Sequence, residues 1–175
     1  MKPSEGFITR KMREEYLKYK GIEASPEVTT LNGHENNTDT LYFWQLYSII
    51  GEPVIVDIIT RFYTRVLTDT EDLVFMNVFK DSGDLEHHVK TQSNFWIDVT
   101  GGGKRYPGGE ARLEIHHDNA KIIMNEKGAN RWLYHMKNSI KDTHIEDHRV
   151  VPCIVEFVNF FTLKYGKTYN FRARL

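Results

Sequence analysis

Eight histidines stand among the 175 residues, and four of them form two adjacent pairs, His87-His88 and His116-His117. An imidazole can bind a metal, relay a proton or exchange hydrogen bonds near neutral pH. Taken alone, a histidine most often does only the last. Other polar groups fall into register nearby. His88 and Gln92 are four residues apart and would share one side of a helix. Tyr63 follows Phe62 on an apolar stripe, where an aromatic reads first as core. Trp132 carries an indole that can pack and still point its N–H inward. The single cysteine, Cys153, excludes an intramolecular disulfide and a multi-thiolate metal site. It fits a reducing compartment and reads as a small buried apolar side chain.

These residues must be positioned by helices. Val54, Ile55, Ile58, Ile59, Phe62, Tyr63, Val66 and Leu67 recur on one face, and Pro53, favoured in a first turn, follows the breaker Gly51. The spacing predicts a helix from Pro53 to Leu67. A short stretch, Leu73 to Phe79, comes next, then a turn at 81–83 and a helix capped by Asp84 that runs to Val99. Gly101-Gly102-Gly103 ends it. Pro107, Gly108 and Gly109 predict loop before His117, with one or two helical turns around Ala111 to Ile115. Asn125 can cap a helix bearing Ala129, Trp132, Leu133, Met136 and Ile140. Thr143 and Glu146 resemble a capping box for a last helix that ends near Lys164. No alternating strand pattern of any length is present, so the class is all-α. The predicted organisation is a polar N-terminal extension over 1–39, in which 8–20 could form a short charged helix, a domain over 40–165 and a polar tail over 166–175.

Composition narrows the function. Hydrophobic residues are 40% of the chain, enough for one self-sufficient core. A formal net charge of -1 provides no electrostatic footprint for nucleic acid or a membrane surface. No apolar run reaches the ~20 residues of a membrane helix. Met1 to Glu14 contains no secretory apolar stretch, so the chain is expected to be soluble and cytoplasmic.

Phe62-Tyr63-Thr64-Arg65-Val66, then Phe79, Phe95, Gly101-Gly102 with Tyr106, His117, and Arg131-Trp132-Leu133 with Met136 resemble, in order and spacing, the truncated haemoglobins of group II, closest to plant and algal members. The resemblance covers Leu41 to about Phe161. It implies a truncated globin-like two-over-two helical sandwich around haem b, with the helix before the proximal histidine mostly replaced by loop. Haem iron needs one strong axial nitrogen, which a neutral imidazole supplies.

By this resemblance His117 is the proximal ligand. Tyr63, His88, Gln92 and Trp132 face the opposite side, with His87 and His88 able to exchange roles because the turn around Gly83 leaves the register open by one residue; hydrogen-bond donors there favour dioxygen, whose bound form carries partial superoxide character. Phe79, Trp132 and Met136 line the pocket, while Tyr106, Arg112 and His116 hold the propionates. Relatives often carry Arg where this chain has His116, so Lys104 and Arg105 stay open as propionate partners. His88 or Lys90 could serve as a sixth iron ligand. The function implied is reversible binding of O2, NO or CO at ferrous iron, with nitric oxide dioxygenation as an activity if a reductase restores Fe(II). The alternative is a haem-based redox or gas sensor that signals through its extensions.

Overall fold

The computed structural model describes residues 2–175. Its helices are α1 (Thr9–Lys20), α2 (Pro26–Thr29), α3 (Leu46–Leu67), α4 (Leu73–Ser82), α5 (Leu85–Val99), α6 (Gly109–Asn119), α7 (Glu126–Lys141) and α8 (Val150–Tyr169). Short 3-10 turns lie at Phe43–Gln45 and Lys121–Ile123. Extended pairing among the described residues is limited to one bridge, Ser4 to Gly102, as an all-α chain requires.

Helix α3 lies at the centre and touches α4, α5, α7 and α8. Gly51 interrupts it with φ 70° and ψ 175°, a backbone that side-chain-bearing residues resist. Pro53 then starts the long half, where its missing N–H would have had no helical partner. From Ile55 to Val66 the buried positions follow the predicted stripe. The caps also form as expected: Asp84 accepts from the His87 amide at 2.9 Å and Asn125 from the Gly128 amide at 2.9 Å. Each such cap contributes about 1 kcal/mol.

Three segments differ from expectation. Helix α6 has three turns where loop with one or two turns around Ala111 to Ile115 was predicted, because Gly108, at φ 91°, completes the reversal after Pro107 and frees the chain to wind at once. The predicted capping box is absent. The Thr143 hydroxyl donates to the Ser139 carbonyl, and Asp147 accepts from the Arg149 amide and guanidinium instead. Helix α8 continues to Tyr169, past Gly166, whose lack of a side chain lets the Phe171 carbonyl fold back to it: a Cβ there would sit 2.5 Å from that oxygen.

Residues 2–40 share the core of the rest. Ile8, Met12, Tyr16 and Leu17 are buried. The fully buried Asp98 carboxylate accepts from the amides of Ile8, Arg105 and Tyr106, each at 3.0 Å, and its carbonyl accepts from the Thr9 hydroxyl at 2.6 Å. One side chain thus joins the N-terminal segment, the end of α5 and the loop that enters α6. Further on, the Trp44 indole donates to the Val28 carbonyl at 2.8 Å, and the Gln45 amide donates to the carbonyls of Glu27 and Thr30.

Candidate functional site

Helices α3, α4, α5, α6, α7 and α8 line a cleft of about 930 Å³, its open mouth included. His117 lines one side. Its Nδ1 lies 2.7 Å from the Leu113 carbonyl, one turn earlier on α6. A carbonyl can only accept, so Nδ1 carries the proton and Nε2 keeps its lone pair. Burial, with His116 adding to it, lowers the pKa of His117 to about 4, which keeps the ring neutral. Tyr165 stacks on it with ring centroids 3.8 Å apart. The bond and the stack together fix the imidazole in two directions.

Tyr63, Phe79, Gln92 and Trp132 line the cleft as well. The Tyr63 hydroxyl and the Trp132 indole N–H have no hydrogen-bond partner among the described residues, so both donors are free for a ligand. Burial pushes the Tyr63 phenol well above its ordinary range, which keeps it protonated as a donor. Its ring stacks on His88, centroids 4.8 Å apart and planes 6° apart, and meets Phe62 edge-on at 5.0 Å.

His116 lines the cleft, half-buried, and burial lowers its pKa too. The other propionate candidates have partners elsewhere. Arg105 pairs with Glu52 at 3.0 Å, the Lys104 ammonium lies over the Phe7 ring, and the Arg112 guanidinium lies 4.6 Å from the centre of the buried Tyr106 ring.

The structure therefore brings His117, His116, Tyr63, Gln92, Phe79 and Trp132 to one cleft. It does not bring Tyr106, Arg112, Met136, His88 or Lys90 to its lining. Met136, one turn on from Trp132 on α7, is fully buried in the core. The Nε2 of the buried His88 donates to the Phe79 carbonyl at 2.7 Å, which occupies the nitrogen an iron would need. Lys90, on the same helix, is exposed to solvent.

Several cleft residues were not anticipated: Phe75, Leu113, Phe161, Thr162 and Tyr165. The signal for Tyr165 was present as the spacing Phe161, Tyr165, Tyr169, but the expected helix end at Lys164 hid it. Behind the cleft, Asp69 receives two bonds from Arg131, at 2.6 and 2.7 Å, and one contact of 2.7 Å from His135. This ties the turn before α4 to α7. Arg131 above all holds the Asp69 carboxyl far below the usual carboxylate range.

The chemistry of the lining fits a haem. Among the described residues no group of three or more His, Cys, Asp or Glu side chains could hold a metal ion; a haem iron needs only one protein nitrogen, its other donors being the macrocycle's. The cleft offers a nitrogen on His117, apolar walls from Phe79, Phe95, Phe161 and Ile123, and donors on Tyr63 and Trp132. No helix among the described residues is long and apolar enough to cross a membrane.

Comparison with known proteins agrees with this geometry. The family model for bacterial-like globins matches residues 45–164, from the turn before α3 into α8. Two-on-two hemoglobin-3 of Arabidopsis thaliana is 28% identical over 98 residues, which cover 56% of this chain and 55% of that protein. The chain thus spans about half the length of the curated relative it matches. Helices α3, α5, α7 and α8, the cleft between them and a neutral histidine directed by its own helix are the framework of a globin, a family that implies a haem-iron cofactor. The chain belongs to the bacterial-like globin family, as a two-over-two globin related to plant members.

Proposed function

We propose that the cleft holds haem b with His117 Nε2 as the proximal iron ligand, and that the protein binds O2, NO and CO reversibly at ferrous iron. The observation that carries this reading is the 2.7 Å contact between His117 Nδ1 and the Leu113 carbonyl, which selects the tautomer with a free Nε2. Tyr63, Gln92 and Trp132 stabilise the bound gas from the opposite side, and His88 supports Tyr63 by stacking rather than by touching the ligand. Phe79 packs against the macrocycle. His116 donates to a propionate, with Arg112 and Tyr106 supporting the same edge from behind.

Donors aimed at bound dioxygen also suit nitric oxide dioxygenation, in which nitric oxide entering the cleft leaves as nitrate and a reductase returns one electron to the iron. The sensor reading finds less support. Its N-terminal output arm is bound through Asp98 into the same core as the cleft.

The test is the visible spectrum of the full chain with one equivalent of haem, as ferric, ferrous and CO forms, for wild type and His117→Ala. A sharp Soret band that is lost or shifted in the variant supports the reading. A wild-type chain that takes up no haem overturns it. Nitrate formation from the O2 complex and nitric oxide tests the dioxygenase activity separately.

A further inference from the structure

Helix α8 carries Phe161, Tyr165 and Tyr169 four residues apart, on one face. Tyr165 stacks on His117 at 3.8 Å between ring centroids, and Tyr169 stacks on Tyr165 at 6.5 Å with planes 24° apart. At the outer end the Tyr169 hydroxyl donates to Asp118 Oδ1 at 2.5 Å, and Asp118 is exposed. Three rings in series therefore lead from the cleft to solvent.

The two phenols differ in what happens to their protons. A phenol that loses an electron becomes a strong acid, so it is oxidised readily only where an acceptor waits for the proton. The Tyr165 hydroxyl is buried and has no hydrogen-bond partner. Oxidation there would strand a proton in an apolar site. The Tyr169 hydroxyl is already bonded to a carboxylate, a strong charge-assisted arrangement. Tyr165 is thus suited to pass an electron and Tyr169 to lose one. Tyr16 also has a carboxylate partner, Glu156, but at 3.5 Å, and its ring contacts are Phe43, Trp44 and Phe160 rather than His117.

We infer that Tyr169 is an oxidisable exit site, reached through the His117–Tyr165 stack when hydrogen peroxide reacts in the cleft. The inference rests on the haem reading above. Peroxide takes two electrons and two solvent protons to become two waters. One electron comes from Tyr169, whose phenolic proton passes to Asp118, and the other comes from the haem. Two equivalents of a one-electron donor such as ascorbate close the cycle: one reduces the Tyr169 radical at the surface, with the proton returning from Asp118, and a second replaces the electron that the haem gave. The protein would thereby consume peroxide at the expense of small reductants without admitting them to the cleft.

The experiment uses the full chain loaded with haem, as wild type, Y169F and Y165F, with the Soret band confirming equal loading. Each is mixed with one equivalent of hydrogen peroxide and a nitroso spin trap, and the trapped residue is identified by electron paramagnetic resonance and peptide mass spectrometry. The wild type is expected to carry the adduct on Tyr169, Y169F to lose it, and Y165F to show it reduced severalfold. An adduct on Trp132 or Tyr63 in its place, or a yield at Tyr169 that Y165F leaves unchanged, overturns the proposal. A wild-type chain without haem removes both the haem reading and this one. A loaded chain with the adduct elsewhere removes only this one.

Discussion

His117 Nδ1 lies 2.7 Å from the carbonyl oxygen of Leu113, its neighbour one turn back on α6. The contact exists only because α6 stays helical as far as the histidine, and it directs the other ring nitrogen away from the helix. The imidazole itself, not its link to the backbone, should then be what the iron requires. His117→Gly is expected to lose the wild-type Soret band, and free imidazole added to the solution is expected to restore it. Titration of the variant with imidazole, followed by absorbance, checks this.

Tyr63→Phe removes the free hydroxyl from the cleft and leaves the stack on His88 in place. If that hydroxyl donates a hydrogen bond worth ~1.5 kcal/mol to bound dioxygen, O2 dissociation should accelerate roughly tenfold. Carbon monoxide, which carries less charge when bound, should respond much less. Stopped-flow dissociation rates for both gases measure the difference, and an unchanged O2 rate would remove Tyr63 from its role.

His88 is engaged by the Phe79 carbonyl and Lys90 is in solvent. The ferrous protein without added gas is accordingly expected to be five-coordinate, with unsplit visible bands that His88→Phe and Lys90→Ala leave in place. Split bands that disappear in either variant would assign that residue as a sixth ligand.

Asp69 offers a test by pH. Arg131, then His135 and two backbone amides, hold its carboxyl far below the ordinary 3.8, so the folded state binds fewer protons than the unfolded state in acid. Its stabilisation is complete above that ordinary value and is lost as pH falls below it toward the folded value. Asp69→Asn should cost about 3–5 kcal/mol near neutrality, as loss of one partner from a buried ion pair does, and should flatten the acid side of the stability curve. Urea midpoints measured from neutral pH down through 3.8 would show both effects.

Asp98→Ala leaves the amides of Ile8, Arg105 and Tyr106 without their acceptor. Three donors, two buried and that of Arg105 partly so, at about 1 kcal/mol each predict a loss of roughly 3 kcal/mol. Asp98→Asn, which keeps one acceptor oxygen, should lose less. Denaturation midpoints of the two variants compare them. Removal of residues 2–40 should be worse than either, since it also exposes the apolar faces of Met12, Tyr16 and Leu17 and those they cover.

What could be read from the residues alone was what local physics decides. The period of apolar positions from Ile55 to Val66, the break at Gly51 before Pro53 and the caps Asp84 and Asn125 are settled within a turn or two of chain, and they formed as read. The resemblance carried by Phe62-Tyr63, His117 and Arg131-Trp132 led to the globin family for a related reason: its elements keep a fixed order in sequence. Tertiary structure decided the rest. His88 and Gln92 share a helix side, yet only Gln92 reaches the cleft, because a carbonyl on α4 captures the His88 ring first. The N-terminal segment appeared polar because its buried positions are spread along α1 and its anchor, Asp98, lies some ninety positions away. Likewise α8 passes Gly166 because Phe171 folds back against it, and only that extension brings Tyr165 onto His117 and Tyr169 onto Asp118. Periodicity determines that a face is buried. Which partner a polar side chain meets on that face depends on elements far away in sequence, and no local pattern encodes them.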